Sequence, residues 1–133
     1  MNKQQAYKAF WSEFGVLAFE ENSVPTQDVL ESLAKTLNLP SDRYIAYQVL
    51  TDDLDHPVFP TASIYHRSTS WETLDTLSNL ISARIKSMNT IKLDNGRMFI
   101  TKGSPFAQHQ DESGDTNIRR IILNLGVEFF TEY

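Results

Sequence analysis

Residues 44–71 read YIAYQVLTDDLDHPVFPTASIYHRSTSW, and the pattern of this stretch decides the architecture. Tyr44, Ala46 and Val49, with Ile45, Tyr47 and Leu50 between them, are rich in the aromatic and branched types that suit a pleated, half-buried surface. Ala62, Ile64 and His66 alternate with Ser63, Tyr65 and Arg67, a period of two that marks a second strand. Between them, Thr51 to Pro60 holds two prolines and three aspartates. It is too long for a tight turn and too polar to bury, so it is an exposed acidic loop. Thr69 and Glu72 have the spacing of a reciprocal capping box. From Trp71 the apolar positions Leu74, Leu77, Leu80, Ile81, Ile85 and Met88 keep one helical face buried and leave Glu72, Asp75, Asn79 and Lys86 to water.

Towards the N-terminus, Ala6, Tyr7, Phe10, Trp11, Phe14 and Leu17 recur at three- and four-residue steps, which predicts an amphipathic helix over Lys3 to about Leu17. Gly15 weakens its last turn; if it ends the helix there, Val16 to Phe19 is a short extended piece. A second helix starts at Thr26, with Asp28 in its first turn and Val29, Leu30, Leu33 and Leu37 as its apolar face, and stops at Asn38-Leu39-Pro40.

Towards the C-terminus, Thr90 to Leu93 and Met98 to Lys102 form a tight hairpin across Asp94-Asn95-Gly96. The polar Gly103 to Asn117 reads as an exposed loop or extended arm. Ile118 to Phe130 is the longest apolar run. It places Ile121, Leu123, Leu125, Val127 and Phe129 on one face and Arg120, Asn124, Gly126 and Glu128 on the other. Ile122 and Phe130 interrupt the polar face, so this strand is central or is covered on its second face by a neighbouring subunit. Together these elements predict an α+β fold of one domain over residues 1–133. Its mostly antiparallel or mixed sheet of about four to five strands packs against an amphipathic helix at about 70–88 and an N-terminal helix at about 3–17.

A chain of 133 residues is long enough to bury roughly two-thirds of its unfolded surface without a metal or disulfide. The absence of cysteine excludes a disulfide framework, a thiolate zinc site and a cysteine nucleophile. No run approaches the roughly 18 apolar residues of a membrane helix, and MNKQQAYKAFW lacks a signal-peptide core, so the expectation is a soluble, unexported protein without a membrane partner. The net charge of −5 is uneven: residues 1–66 hold 4 Lys and Arg against 9 Asp and Glu, and residues 67–133 hold 8 against 8. Direct, sequence-specific nucleic-acid binding is not expected of such a chain, since clustered positive charge supplies most of that affinity.

Asp52, Asp53, Asp55 and His56 form the one dense group of candidate metal ligands. They lack the glycine and terminal glutamate of an EF-hand loop, which favours a solvated acidic loop over a metal site. His56, His66 and His109 lie on different segments, and no Gly-x-Ser-x-Gly, His-Glu-x-x-His or phosphate-binding glycine loop accompanies them. The expectation is no enzyme, no cofactor and no metal. Arg119 and Arg120 adjoin Asp111, Glu112 and Asp115, either as screened surface pairs or as part of a subunit contact.

The strings AYKAFWSEFGVLAFEENSVP, YIAYQVLTDDLDHPVFPTASIYHRSTSW, KGSPFAQ and DTNIRRIILNLGVEFF resemble a family of small neck proteins of long-tailed bacteriophages and prophages of Gram-positive bacteria. That family, often labelled minor capsid protein, is similar to the tail terminators. The resemblance spans Ala6 to Phe130 and departs from the family in the length of the second helix. It implies a protomer that assembles as a hexameric ring on the last ring of the tail tube, ends polymerisation and presents the head-joining surface. The implied partners are copies of itself, the tail tube protein and the head-tail connector or stopper protein; the alternative role is that of the stopper. The implied locations are the virion neck and, during assembly, the host cytoplasm. Exposure adds Asp52, Asp53, Asp55, His56, Phe106, Gln108, Asp111, Glu112, Arg119 and Arg120 as candidate subunit or tube contacts.

Overall fold

The computed structural model describes residues 1–50, 57–87, 90–111 and 117–131. The chain runs α1 (Lys3–Trp11), a 3-10 turn (Ser12–Phe14), β1 (Leu17–Glu20), α2 (Gln27–Leu37), β2 (Arg43–Tyr47) and β3 (Thr61–His66). It continues through α3 (Glu72–Ser87), β4 (Ile91–Leu93), β5 (Gly96–Asp111) and β6 (Arg119–Thr131). The strands form one six-stranded sheet in the order β1-β2-β3-β6-β5-β4, so the fold is α+β, with more strands than the expected four to five. Only β1 and β2 run parallel; every other neighbouring pair is antiparallel.

The extra strand arises at Gly15. This residue adopts the left-handed conformation at φ 72°, which costs glycine least, and it stops the helix before Leu17. Val16 is buried beside the helices, and Leu17–Glu20 becomes β1. The start of α1 is fixed by a capping box that the apolar periodicity does not display. Asn2 Oδ1 accepts from the Gln5 N–H at 2.9 Å, and Gln5 Oε1 accepts from the Asn2 N–H at 3.0 Å. At α3 the expected exchange between Thr69 and Glu72 is replaced: Ser70 Oγ accepts from the Glu72 N–H at 3.2 Å.

Cross-strand partners share a face of a sheet, and the register therefore sorts the side chains. Ile45, Ile64 and Ile121 lie in one row on the inner face, as do Tyr47, Ala62 and Leu123. Helices α1 and α3 cover this face through Tyr7, Phe10 and Trp11 and through Leu74, Leu77, Ile81 and Ile85. Helix α2 packs on the opposite, outer face, where Leu30 and Ala34 meet Leu17, with Phe19, Leu39 and Tyr44 around them. The expected apolar face of α2 is corrected here. Leu30 is buried as predicted, but Val29, Leu33 and Leu37 are exposed, because the helix touches the sheet only along a line one residue further round. Leu80 of α3 is also exposed, whereas Leu74, Leu77, Ile81 and Ile85 are buried; Met88 lies outside the described residues.

The second correction concerns the polar run from Gly103. Residues Gly103–Asp111 are not a loop; they continue β5, and Ala107–Asp111 pair in register with Leu123–Arg119. The composition of this run conceals a strand that pairs with β6 of the same chain over Ala107–Asp111. A register shift between Lys102 and Ala107, which includes a cis Ser104–Pro105 peptide, breaks the alternation there. Gly103 is required at this break: a Cβ on it would stand 2.9 Å from both Asn124 Cβ and the Asn124 carbonyl oxygen. Gly103→Ala is expected to destabilise the fold by about 1–3 kcal/mol, since a neighbouring backbone cannot step aside. Gly126→Ala should cost less, because its nearest obstacle, Thr101 Oγ1 at 2.7 Å, is a rotatable hydroxyl. Urea midpoints check the ranking; a Gly103→Ala midpoint equal to that of the unsubstituted chain would show that β6 yields.

No helix among the described residues is long and apolar enough to cross a membrane.

Candidate assembly surface

The outer face of β3, β6 and β5 carries two chemically distinct patches. At one end Tyr44, Tyr65, Arg120 and Gln110 form a row across four strands. The rings of Tyr44 and Tyr65 stack with centroids 4.9 Å apart. The Arg120 guanidinium lies 5.4 Å from the Tyr65 centroid and donates through Nε to Ser63 Oγ at 3.1 Å. A guanidinium held over an aromatic face keeps its charge while shedding rotamer freedom, which suits a contact surface.

At the other end three phenylalanines gather on the same face. Phe59, opposite Gly126 on an extension of the β3 ladder bridged at Val58 and Val127, is 74% exposed. Phe130, opposite Arg97, is 52% exposed, and Phe99, opposite Glu128, is exposed as well. Singly exposed apolar residues are ordinary, but three aromatic rings side by side on a face that no helix among the described residues covers form a patch of the type used for protein contacts. The polar gaps in the β6 alternation hint at this patch, because Phe130 breaks the polar face in the sequence itself.

The inner face at the β3–β6 end holds a separate polar cluster. The His109 imidazole stacks on Trp71 at 3.9 Å and 4°, and its Nε2 lies 2.8 Å from Asp75 Oδ1. Arg119 closes the group, with its guanidinium 5.5 Å from the Trp71 centroid and Nη2 donating to the Thr69 carbonyl at 3.2 Å. His66, buried in β3, places Nε2 3.1 Å from Asp42 Oδ2. Hydrogen bonds from Arg43, ahead of the interaction with His66, hold the Asp42 carboxyl below the usual carboxylate range. Among the described residues no serine hydroxyl bonds either imidazole, and no group of three or more acids and histidines could hold a metal ion.

Of the ten candidate contact residues, the structure describes five. Asp52, Asp53, Asp55, His56 and Glu112 lie outside the described residues, as does Asp115. Asp111 ends β5. Gln108 is exposed on the outer face and accepts from Asn124 Nδ2 through Oε1 at 3.3 Å. Phe106 is half-buried against the core, with Lys102 Nζ 5.7 Å from its ring centroid. Arg119 and Arg120, adjacent in sequence, point to opposite faces and serve the two different clusters. The residues that sequence reasoning passed over are Phe59 and Phe99, whose exposure depends on which face of the sheet α2 leaves open. No protein-family model matches the chain, and no curated protein matches it.

Proposed function

We propose that this chain is a structural virion protein that assembles into a ring on the end of a phage tail tube, ends tube polymerisation and provides the surface to which the head is joined. The reading starts from the resemblance to phage neck proteins carried by residues 6–130. The observation that supports it best is the outer sheet face, which among the described residues carries no helix across β3, β6 and β5 and presents Phe59, Phe99 and Phe130 towards solvent. A face of this kind loses apolar area to water unless another protein covers it. The partners are copies of the chain, expected as a hexamer, together with the tail tube protein and the connector or stopper above it. No catalytic residue, cofactor or metal enters this reading.

Removing the protein during phage assembly tests the role. Overlong tails unattached to heads are the expected product. Filled heads that leak their DNA, beside tails of normal length, would instead assign the chain to the stopper position one ring closer to the capsid.

A further inference from the structure

Charge is spread unevenly within the second half of the chain. Between residues 84 and 110 stand Arg84, Lys86, Lys92, Arg97 and Lys102 against a single acid, Asp94. That acid is engaged by the N-terminal ammonium of Met1, and Arg84 is engaged by Glu13 at 2.7 Å. Two of the remaining cations, Lys86 on α3 and Lys102 on β5, are brought together by the fold. Among the described residues neither has a carboxylate partner.

Lys102 stands opposite Leu125 on the inner face of the sheet, beside the second half of α3. Its Nζ donates to Ser82 Oγ at 3.0 Å and lies 5.7 Å from the Phe106 ring centroid. Lys86 is one turn beyond Ser82 on the same flank of the helix, so its ammonium reaches the same spot. The like charge is felt there: lost hydration first, and then the neighbouring Lys86, hold the Lys102 amine below the usual lysine range. The acids of the surrounding elements lie elsewhere. Asp75 is two turns before Ser82, about 10 Å along the helix. It is engaged by His109 at 2.8 Å. Glu128 of β6 is opposite Phe99 on the outer face. Because Ser82 Oγ accepts from Lys102, its own O–H is left to donate, beside the remaining N–H groups of the two ammonium ions.

We propose that Lys86, Lys102 and Ser82 form a binding site for a dianionic phosphate, either inorganic phosphate or the terminal phosphate of a monoester. Two ammonium groups match a dianion in charge, and three donor groups from two elements supply hydrogen bonds to its separate oxygens. A carboxylate or a phosphodiester would leave one of the two positive charges uncompensated. An anion seated here also joins α3 to β5 at Lys102, the last residue in register before the break that ends at Ala107. Bound phosphate therefore braces β5 where its ladder to β6 is interrupted, and this brace is independent of the assembly reading.

Titration calorimetry of the whole chain with inorganic phosphate, against chloride at equal ionic strength, tests the site, and saturable binding of one phosphate per chain is expected. K86M and K102M keep the apolar stems and remove one charge each. With circular dichroism showing both folded, each should weaken binding by about 10-fold or more, and S82A by less. Lys86 is exposed, so K86M decides the matter even where K102M proves unstable. Dimethyl phosphate, a monoanion, should bind about 10-fold more weakly than inorganic phosphate. Phenyl phosphate separates the two sources of the dianion: tighter binding than inorganic phosphate assigns the site to a monoester, and equal or weaker binding assigns it to the free anion. Phosphate should also raise the melting temperature of the unsubstituted chain more than that of K86M, because a ligand held only by the folded state stabilises it. Absence of saturable binding, binding that K86M leaves unchanged, or dimethyl phosphate bound as tightly as inorganic phosphate overturns the proposal.

Discussion

Trp11→Ala is expected to lower stability by about 3–5 kcal/mol, the range for removing a large aromatic side chain from a packed core. Trp11 is fully buried where the last turn of α1 meets the inner face of the sheet. Its indole stacks on Tyr47 at 6.2 Å and 8° and meets Tyr7 and Phe10 edge to face at 5.9 Å and 5.0 Å. These contacts join α1 to β2, so the loss includes ring–ring terms in addition to buried area. Against a typical total of about 5–15 kcal/mol for a domain, the variant keeps a small margin, and its melting temperature should fall by about 10–20 °C. Trp11→Phe, which leaves a ring in place, should recover much of the loss. A fall of less than about 3 °C in Trp11→Ala would show that the helix does not depend on this anchor.

Leu123→Ala is expected to cost about 2–5 kcal/mol, and towards the upper end. Leu123 is fully buried at the middle of β6, and its neighbours across the two flanking strands are Ala62 and Ala107. Neither alanine has atoms to move into the space, and the cost of a truncation rises with the cavity that fails to collapse. Leu37→Ala on the exposed flank of α2 supplies the contrast and should stay within about 0.5 kcal/mol. Chemical denaturation of the monomer measures both. Equal midpoints for the two variants would mean that the centre of the sheet relaxes as freely as its surface.

Period-two alternation in β3 and β6 was plain in the residues; the apolar residues on both sides of β6 left open whether the strand is central or covered by a neighbouring subunit, and the sheet order makes it central. The helix at α3 declared itself through Leu74, Leu77, Ile81 and Ile85. The half of β5 from Gly103 did not: Gly, Ser, Pro and three polar side chains between Gly103 and Gln110 look like a loop, and only the pairing with β6 makes them a strand. Helix α2 shows the converse failure. Its leucines are spaced as a buried face, yet periodicity reports that one side is apolar without reporting whether the same chain covers it. The outer-face patch was illegible for a related reason, since Phe59, Phe99 and Phe130 lie on three separate strands whose alignment is a property of topology.

The sheet order also constrains how the molecule is made. The ladder that unites its two halves joins residues 61–66 to residues 119–124, and it sits at the centre of the sheet. During synthesis, β1, β2 and β3 emerge first with one side of β3 unpaired, and they wait for the strand that comes last in the order. Contacts so distant along the chain slow the closing of a sheet, and an unpaired edge is sticky for as long as it waits. Nascent copies crowded on one message are therefore most prone to mispair with each other before residue 119 has left the ribosome, at the edge that in the finished molecule is the best protected of all.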